Sequence, residues 1–258
     1  MSSVVLLVLL AVGSYLFGNI NWAIIISKLK KMDIRKMGSG NPGTLNMSRN
    51  LGLGIGLLTF FLDVLKGVAP TLLAYFLTRY RKFGEFNVAD FSIYLCGLCV
   101  VLGHIYPVFF KFKGGKGIAS TIGVFIACSS LGWEWAAVII MSLVAATVFI
   151  YLTEFGAMGS FIAITPPAIA CCIRLLIAYN SKEGVYVMVF HIVSNMLIFA
   201  ICLFTWFAHR LNIKRMLAGD EHPTSIKEMV VKMKAKKAAA KANLAKEQAE
   251  NVNKNSEK

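Results

Sequence analysis

The sequence predicts an all-α integral membrane protein with seven transmembrane helices, the N-terminus outside and the C-terminus inside. Two compositional observations and one positional pattern lead there. Of the 258 residues 57% are hydrophobic and only 16% charged, and mean hydropathy is +0.66. A soluble domain is about 25% charged, and a chain this apolar lacks the polar side chains to cover its own surface. The 18 Phe residues also exclude disorder over most of the length. Seven apolar stretches, most near the roughly 20 residues that cross a bilayer, fall at 3–27, 52–77, 88–110, 117–132, 133–153, 156–178 and 184–207.

The stretch at 3–27 has no basic leading region and outruns the apolar core of a signal peptide, so it reads as a retained span. The connection after it, 28–49, is basic and rich in glycine. The second span carries Asp63 and Lys66, three apart on one helical side, where they can pair. The third ends in Gly103-His104-Ile105-Tyr106-Pro107; His104, like His191 in the last span, reads as a packed, hydrogen-bonded histidine. The connection 111–116 is again basic and glycine-rich. The next two spans are separated only by a corner at Gly132-Trp133, and 133–153 is followed by a very short turn containing Glu154. The six cysteines, Cys96, Cys99, Cys128, Cys171, Cys172 and Cys202, all lie in apolar runs and read as small buried residues.

Charge fixes the orientation. With seven spans, 21 Lys and Arg fall on the face holding the C-terminus and four on the other, so that face is inside. The formal net charge of +14 has this cause, and nucleic acid is not the expected partner. The chain divides into a membrane domain, 1–221, and a basic tail, 222–258. In the tail Ser225 and Glu228 have capping-box spacing, and Ile226, Met229, Val230 and Met233 share a helical face. That tail is either solvated or laid on anionic headgroups, and no catalytic residue is expected in it.

Three polar clusters fall on the inner face. The first holds Gly38, Ser39, Gly40, Asn41, Gly43, Asn46 and Arg49. Glycines allow sharp turns whose amides form an anion-binding concavity, and Arg49 supplies a planar cation suited to phosphate. The second, Gly114-Gly115-Lys116-Gly117, leads straight into an apolar helix, a setting for phosphate at a helix N-terminus. It is not a P-loop: that motif requires a glycine six residues before the lysine and a hydroxyl after it, where this chain has Phe110 and Gly117. The third pairs His209 with Asn212, three apart on a helix, the histidine able to handle a proton near neutral pH. No His, Cys and carboxylate set has metal-ligand spacing.

These segments resemble the bacterial acyl-phosphate:glycerol-3-phosphate acyltransferases of the PlsY type. The resemblance rests on Gly13-Ser14 and Gly18-Asn19, Asp33-Ile34-Arg35 with the Gly38-to-Arg49 segment, Asp63-Val64-Leu65-Lys66-Gly67, Gly103-to-Pro107 running into Lys113-to-Ala119, and His209-to-Arg215 with Gly219 and Glu221. It covers about residues 1–221. Leu45 stands where the family commonly has threonine, Pro42 where it has an aliphatic residue, and Leu211 where some members have glutamate.

The resemblance implies a seven-helix enzyme of the bacterial cytoplasmic membrane, needing neither cofactor nor metal. It would move a fatty acyl group from acyl phosphate to the 1-hydroxyl of glycerol 3-phosphate, giving lysophosphatidic acid and phosphate, with the acyl chain entering from membrane lipid. By motif position Ser39, Lys116, His209 and Asn212 are its catalytic set, and Arg49 with the glycine-rich segments its substrate-binding set. Either His209 or the substrate's own phosphate would take the proton. The competing reading from residues alone is a small anion transporter, which the absence of a repeat and the clustering at one face disfavour.

Overall fold

The computed structural model describes residues 2–83, 86–128, 133–180, 185–221 and 223–256. Among these the chain is helical, apart from a two-residue antiparallel pairing of β1 (Lys82–Phe83) with β2 (Phe86–Asn87). In chain order the helices are α1 (Ser3–Gly18), α2 (Trp22–Leu29), α3 (Thr44–Leu51), α4 (Leu53–Thr78), α5 (Val88–Ile105), α6 (Ile118–Cys128), α7 (Trp133–Thr153), α8 (Gly156–Asn180), α9 (Val185–Ala208), α10 (Arg210–Ala218) and α11 (Ile226–Ser256). Five helical segments among the described residues are long and apolar enough to cross a membrane, six if α9 and α10 count as one bent span. Their outward faces carry exposed Val8, Leu9 and Val12 on α1 and Leu57, Phe61 and Leu65 on α4, an arrangement that suits lipid as solvent.

Two expected spans differ from their sequence reading. The stretch at 3–27 is broken at Asn19–Asn21, where the Asn21 side chain caps α2 by accepting from the Ile24 amide at 3.0 Å. The stretch at 117–132 yields the 11-residue α6, about 16 Å long against a hydrocarbon core of roughly 30 Å. Its corner at Gly132 lies outside the described residues, as do the side chains of Glu134 and His191. Nearly every residue of α6 is buried, because it packs inside the bundle against α4 and α5. A helix hydrophobic all round is a core helix, and composition alone does not separate that from a span.

Small residues set the packing. Gly67 of α4 and Gly123 of α6 face each other: a Cβ on Gly67 would overlap the Ser120 carbonyl, and one on Gly123 the Val64 carbonyl. Gly18 and Gly103 do the same for α1 and α5. With lipid as apolar as leucine, helices gain by letting their backbones approach. Hydroxyls within the apolar helices return to their own backbone, as Thr59 does to Ile55, Thr71 to Gly67 and Thr205 to Ile201. The cysteines form no disulfide, and Cys172 is exposed rather than buried. We predict that Gly67→Val, which overpacks the α4–α6 contact, destabilises the protein by about 1–3 kcal/mol. Thermal unfolding in detergent should show a lowered midpoint, and an unchanged one would remove this account of the contact.

Candidate active site

The helix termini converge on one cavity of about 240 Å³, several times the space one water needs. Thr44 and Leu45 bring the N-terminus of α3 to it, Gly117, Ile118 and Ala119 that of α6, and Gly156 and Ala157 that of α8. The first amides of a helix have no partner within it and carry the positive end of the dipole. Arg49, Lys116 and Arg215 add their charges, and Glu221 is the carboxylate set among them. The same cavity also has an apolar lining, which includes Phe60, Ile122, Leu143, Ala146, Ile150 and Ala163.

A hydrogen-bonded chain joins the cations. Lys116 Nζ donates to Asn212 Oδ1, Asn212 Nδ2 donates to Glu221 Oε1 at 2.6 Å, and Arg215 Nε donates to Glu221 Oε2 at 3.1 Å. The orientation of the Asn212 amide is thereby fixed. Glu221 returns to the site because α10 ends at Gly219 in the left-handed region (φ 75°), with the Asp220 amide bonding back to the Arg215 carbonyl. Burial pushes the Lys116 ammonium down to about 8; Glu221 opposes that shift, while Arg215 and Arg49 add to it. Burial likewise lowers Arg49, with Glu221 opposing.

His209 sits where α9 bends into α10 by 54°. Its amide bonds the Trp206 carbonyl, three residues back, so the Thr205 carbonyl is available to the ring and lies 2.8 Å from Nδ1. A carbonyl only accepts, so Nδ1 carries the proton and Nε2 keeps its lone pair. The ring is 2% exposed and packs against Phe161.

Of the residues singled out from sequence, Ser39, Asn41, Gly43, Asn46, Arg49, Lys116, Gly117, His209 and Asn212 line this cavity, whereas Gly38, Gly40, Gly114 and Gly115 do not. The concavity of available amides is corrected. Ser39 N–H donates to Asn46 Oδ1, Gly40 N–H to the Met37 carbonyl, Gly43 N–H to Asn41, Gly114 N–H to Ile105 and Gly115 N–H to His104. Asn46 itself spends both amide protons on the Ile34 and Met37 carbonyls, at 3.2 and 3.0 Å, so it shapes the loop instead of donating to a ligand. The anion-facing amides belong to the helix starts. The glycines serve close approach: a Cβ at Gly114 would meet the His104 carbonyl, and one at Gly115 the His104 ring.

Four residues that line the cavity had been given no site role from sequence: His104, read as packed, Arg215 and Glu221, quoted only within the family resemblance, and Thr224. Gly219, just past the last helical residue, was the signal for a turn returning Glu221. Thr224, in the tail, is 1% exposed; its amide donates to the Glu154 carbonyl at 2.7 Å, and its hydroxyl accepts from Arg49. No periodicity marks it.

Residues 8–219 match the family described as glycerol-3-phosphate acyltransferase. This chain belongs to that family. A glycerol-3-phosphate acyltransferase of Mycoplasmopsis pulmonis is 36% identical over 214 residues, 81% of this chain and 89% of the relative. One of Aquifex aeolicus is 36% identical over 213 residues, covering 83% and 96%. The crystal structure of PlsY, an integral membrane glycerol 3-phosphate acyltransferase, in its glycerol 3-phosphate form superposes with a TM-score of 0.64 at 34% identity, covering 87% of this chain and 98% of that one. Its lysophosphatidic acid form gives 0.60 at 33% identity, with the same coverage. Membership of this family makes the protein a multi-pass membrane acyltransferase.

Two predictions follow from the charge network. As pH rises through about 8, Lys116 loses its proton, so kcat/KM should fall on the alkaline side, since that profile reports groups of the free enzyme. Glu221→Gln removes the group that holds the Lys116 proton on and should move this limb to lower pH. A limb that stays in place in the variant would dissociate Lys116 from it.

Proposed function

We propose that the protein transfers a fatty acyl group from acyl phosphate to the 1-hydroxyl of glycerol 3-phosphate, releasing lysophosphatidic acid and phosphate. The observation carrying this is that one cavity is lined both by Arg49, Lys116 and Arg215 and by the apolar side chains of α4, α6, α7 and α8. A doubly charged small phosphate and the reactive head of a greasy donor can be held there together. The family and the glycerol 3-phosphate and lysophosphatidic acid forms of PlsY support the acceptor and the product.

The acyl phosphate is already activated, so no covalent nucleophile on the enzyme is required. The acceptor oxygen attacks the acyl carbonyl carbon, the bond from that carbon to the phosphate oxygen breaks, and the electron pair leaves with phosphate. His209 Nε2, its lone pair directed by the Nδ1–H bond to Thr205, takes the hydroxyl proton. Lys116 and the first amides of α6 neutralise charge growing on the departing phosphate. Arg49, Ser39 and the start of α3 bind the acceptor's phosphate, while Asn212 orients its hydroxyls. Juxtaposition of the two substrates supplies part of the acceleration, up to about 7–11 kcal/mol.

In this reading the chain passes through the bacterial cytoplasmic membrane seven times, the fourth passage being made by the segment of the short, protein-enclosed α6, with the N-terminus outside and the site facing the cytosol. The support is the excess of Lys and Arg on one set of connections. The acyl chain arrives laterally between α4, α6, α7 and α8. Cysteine accessibility in intact cells should place positions 36 and 234 on the same inner side.

The deciding assay offers acyl phosphate and acyl-CoA in parallel, with glycerol 3-phosphate, to protein in membranes. Acyl phosphate alone should support transfer, and phosphate release should require the acceptor. Transfer from acyl-CoA at a similar rate would refute the donor assignment. Lys116→Ala should lower kcat by about 100-fold or more, the scale of losing one transition-state donor. Arg49→Lys, a point charge replacing a fork, should raise the KM for glycerol 3-phosphate with little change in kcat.

A further inference from the structure

We propose that Asp63 and Lys66, buried in α4, hold His104 in a single tautomer whose Nε2–H faces the cavity and donates to the phosphate of the acyl donor as it leaves. The Lys66 side chain is fully buried and the Asp63 side chain is 3% exposed. Lys66 Nζ lies 2.9 Å from Asp63 Oδ1, donates to the Ile20 carbonyl at 2.7 Å, and lies 2.7 Å from His104 Nδ1. An ammonium has three protons and accepts nothing, so it donates to the Ile20 carbonyl and to His104 Nδ1, while Asp63 balances its charge as an ion pair. His104 Nδ1 is therefore the acceptor, and the neutral ring carries its proton on Nε2. Ser120 Oγ, 3.4 Å from the same Nδ1, is compatible with that assignment.

The other edge of the ring is where the site needs a donor. His104 and Asp63 both line the cavity beside Lys116. Gly115, the residue before Lys116, leaves space for the ring: a Cβ at that position would overlap Nε2. The amides of Gly114 and Gly115 are already spent on the carbonyls of Ile105 and His104. The glycine-rich turn thus contributes to the phosphate site by admitting an imidazole edge. A structural pin alone accounts for the Lys66 contacts with Asp63 and Ile20. It leaves unexplained why an ammonium proton also fixes the ring of a residue that lines the cavity. Ionised groups inside a membrane domain are costly, and function is the usual reason for keeping them. Asp63 and Lys66 are positioning residues, whereas His104 touches the substrate.

This rests on the acyl-phosphate reading above, and the test separates the two. In His104→Gln the side-chain amide reaches the Nε2 position and keeps a donor in the cavity. In His104→Asn an amide sits near the Nδ1 position, able to accept from Lys66 but too short to reach the phosphate. Relative to wild type, His104→Asn should lower kcat/KM for acyl phosphate by about 100-fold, the scale of removing one such donor. His104→Gln should recover most of that loss, and the KM for glycerol 3-phosphate should stay within about twofold in both. Equal activities, a more active Asn variant, or an Asn variant that does not accumulate as folded protein would make His104 a structural residue and overturn the inference. If wild-type protein transfers nothing from acyl phosphate, the donor reading fails, and titration calorimetry with inorganic phosphate decides the inference alone. Wild type and His104→Gln should then bind comparably and His104→Asn at least about tenfold more weakly; no phosphate binding by wild type would also overturn it.

Discussion

The carboxylate of Glu221 is the constraint on which the site depends. Arg49, Lys116 and Arg215 converge on one cavity, and like charges brought together in a partly buried site repel more strongly than in water. Glu221 offsets part of that repulsion, and the Asn212 amide relays it to Lys116. The compensation is incomplete in its effect: three cations face Glu221, while Asp63, which also lines the cavity, is paired with Lys66, leaving net positive charge at the mouths of three helices. A dianion entering the cavity relieves repulsion as well as making hydrogen bonds. Selectivity for phosphate groups therefore arises from the resting charge imbalance as much as from any single contact.

Interruptions of regular helix supply the other half of the site. In a bilayer every unpaired backbone group is expensive, so irregular backbone persists where side chains or the protein interior satisfy it. The break between α1 and α2 gives the Ile20 carbonyl to Lys66, and the bend between α9 and α10 gives the Thr205 carbonyl to His209. In each case a carbonyl released from the helical ladder orients a cation or a ring. The short α6, buried within the bundle, delivers its N-terminus to the cavity where a full-length span would carry it past.

Much of this was legible in the sequence. Apolar runs, basic connections and the residues Ser39, Arg49, Lys116, His209 and Asn212 follow from composition and local pattern, because membrane solvation and charge distribution are written residue by residue. The reading failed where an answer depended on chain segments meeting. Whether the amides of Gly114 and Gly115 were available depended on carbonyls at the end of α5. Asn46 has the chemistry of a ligand donor, yet the backbone at Ile34 and Met37 claims it. Asp63 and Lys66 were legible as a pair, but the third member came from another helix, and only packing through Gly67 and Gly123 brings α6 close enough to place the ring beside Lys116. The run 117–132 is as apolar as a span because a helix enclosed by protein and one enclosed by lipid make the same demand on composition.

The contact between Arg49 and Thr224 bears on how the enzyme empties itself after each turnover. The guanidinium donates to a hydroxyl supplied by the start of the tail. An arriving phosphate competes with that oxygen for the same donor, so its net grip is smaller than the gross strength of the new contact. When the product departs, the hydroxyl can return to the guanidinium. Such an exchange of one oxygen for another lowers the penalty for letting go, which suits a catalyst whose product must diffuse away into the surrounding lipid.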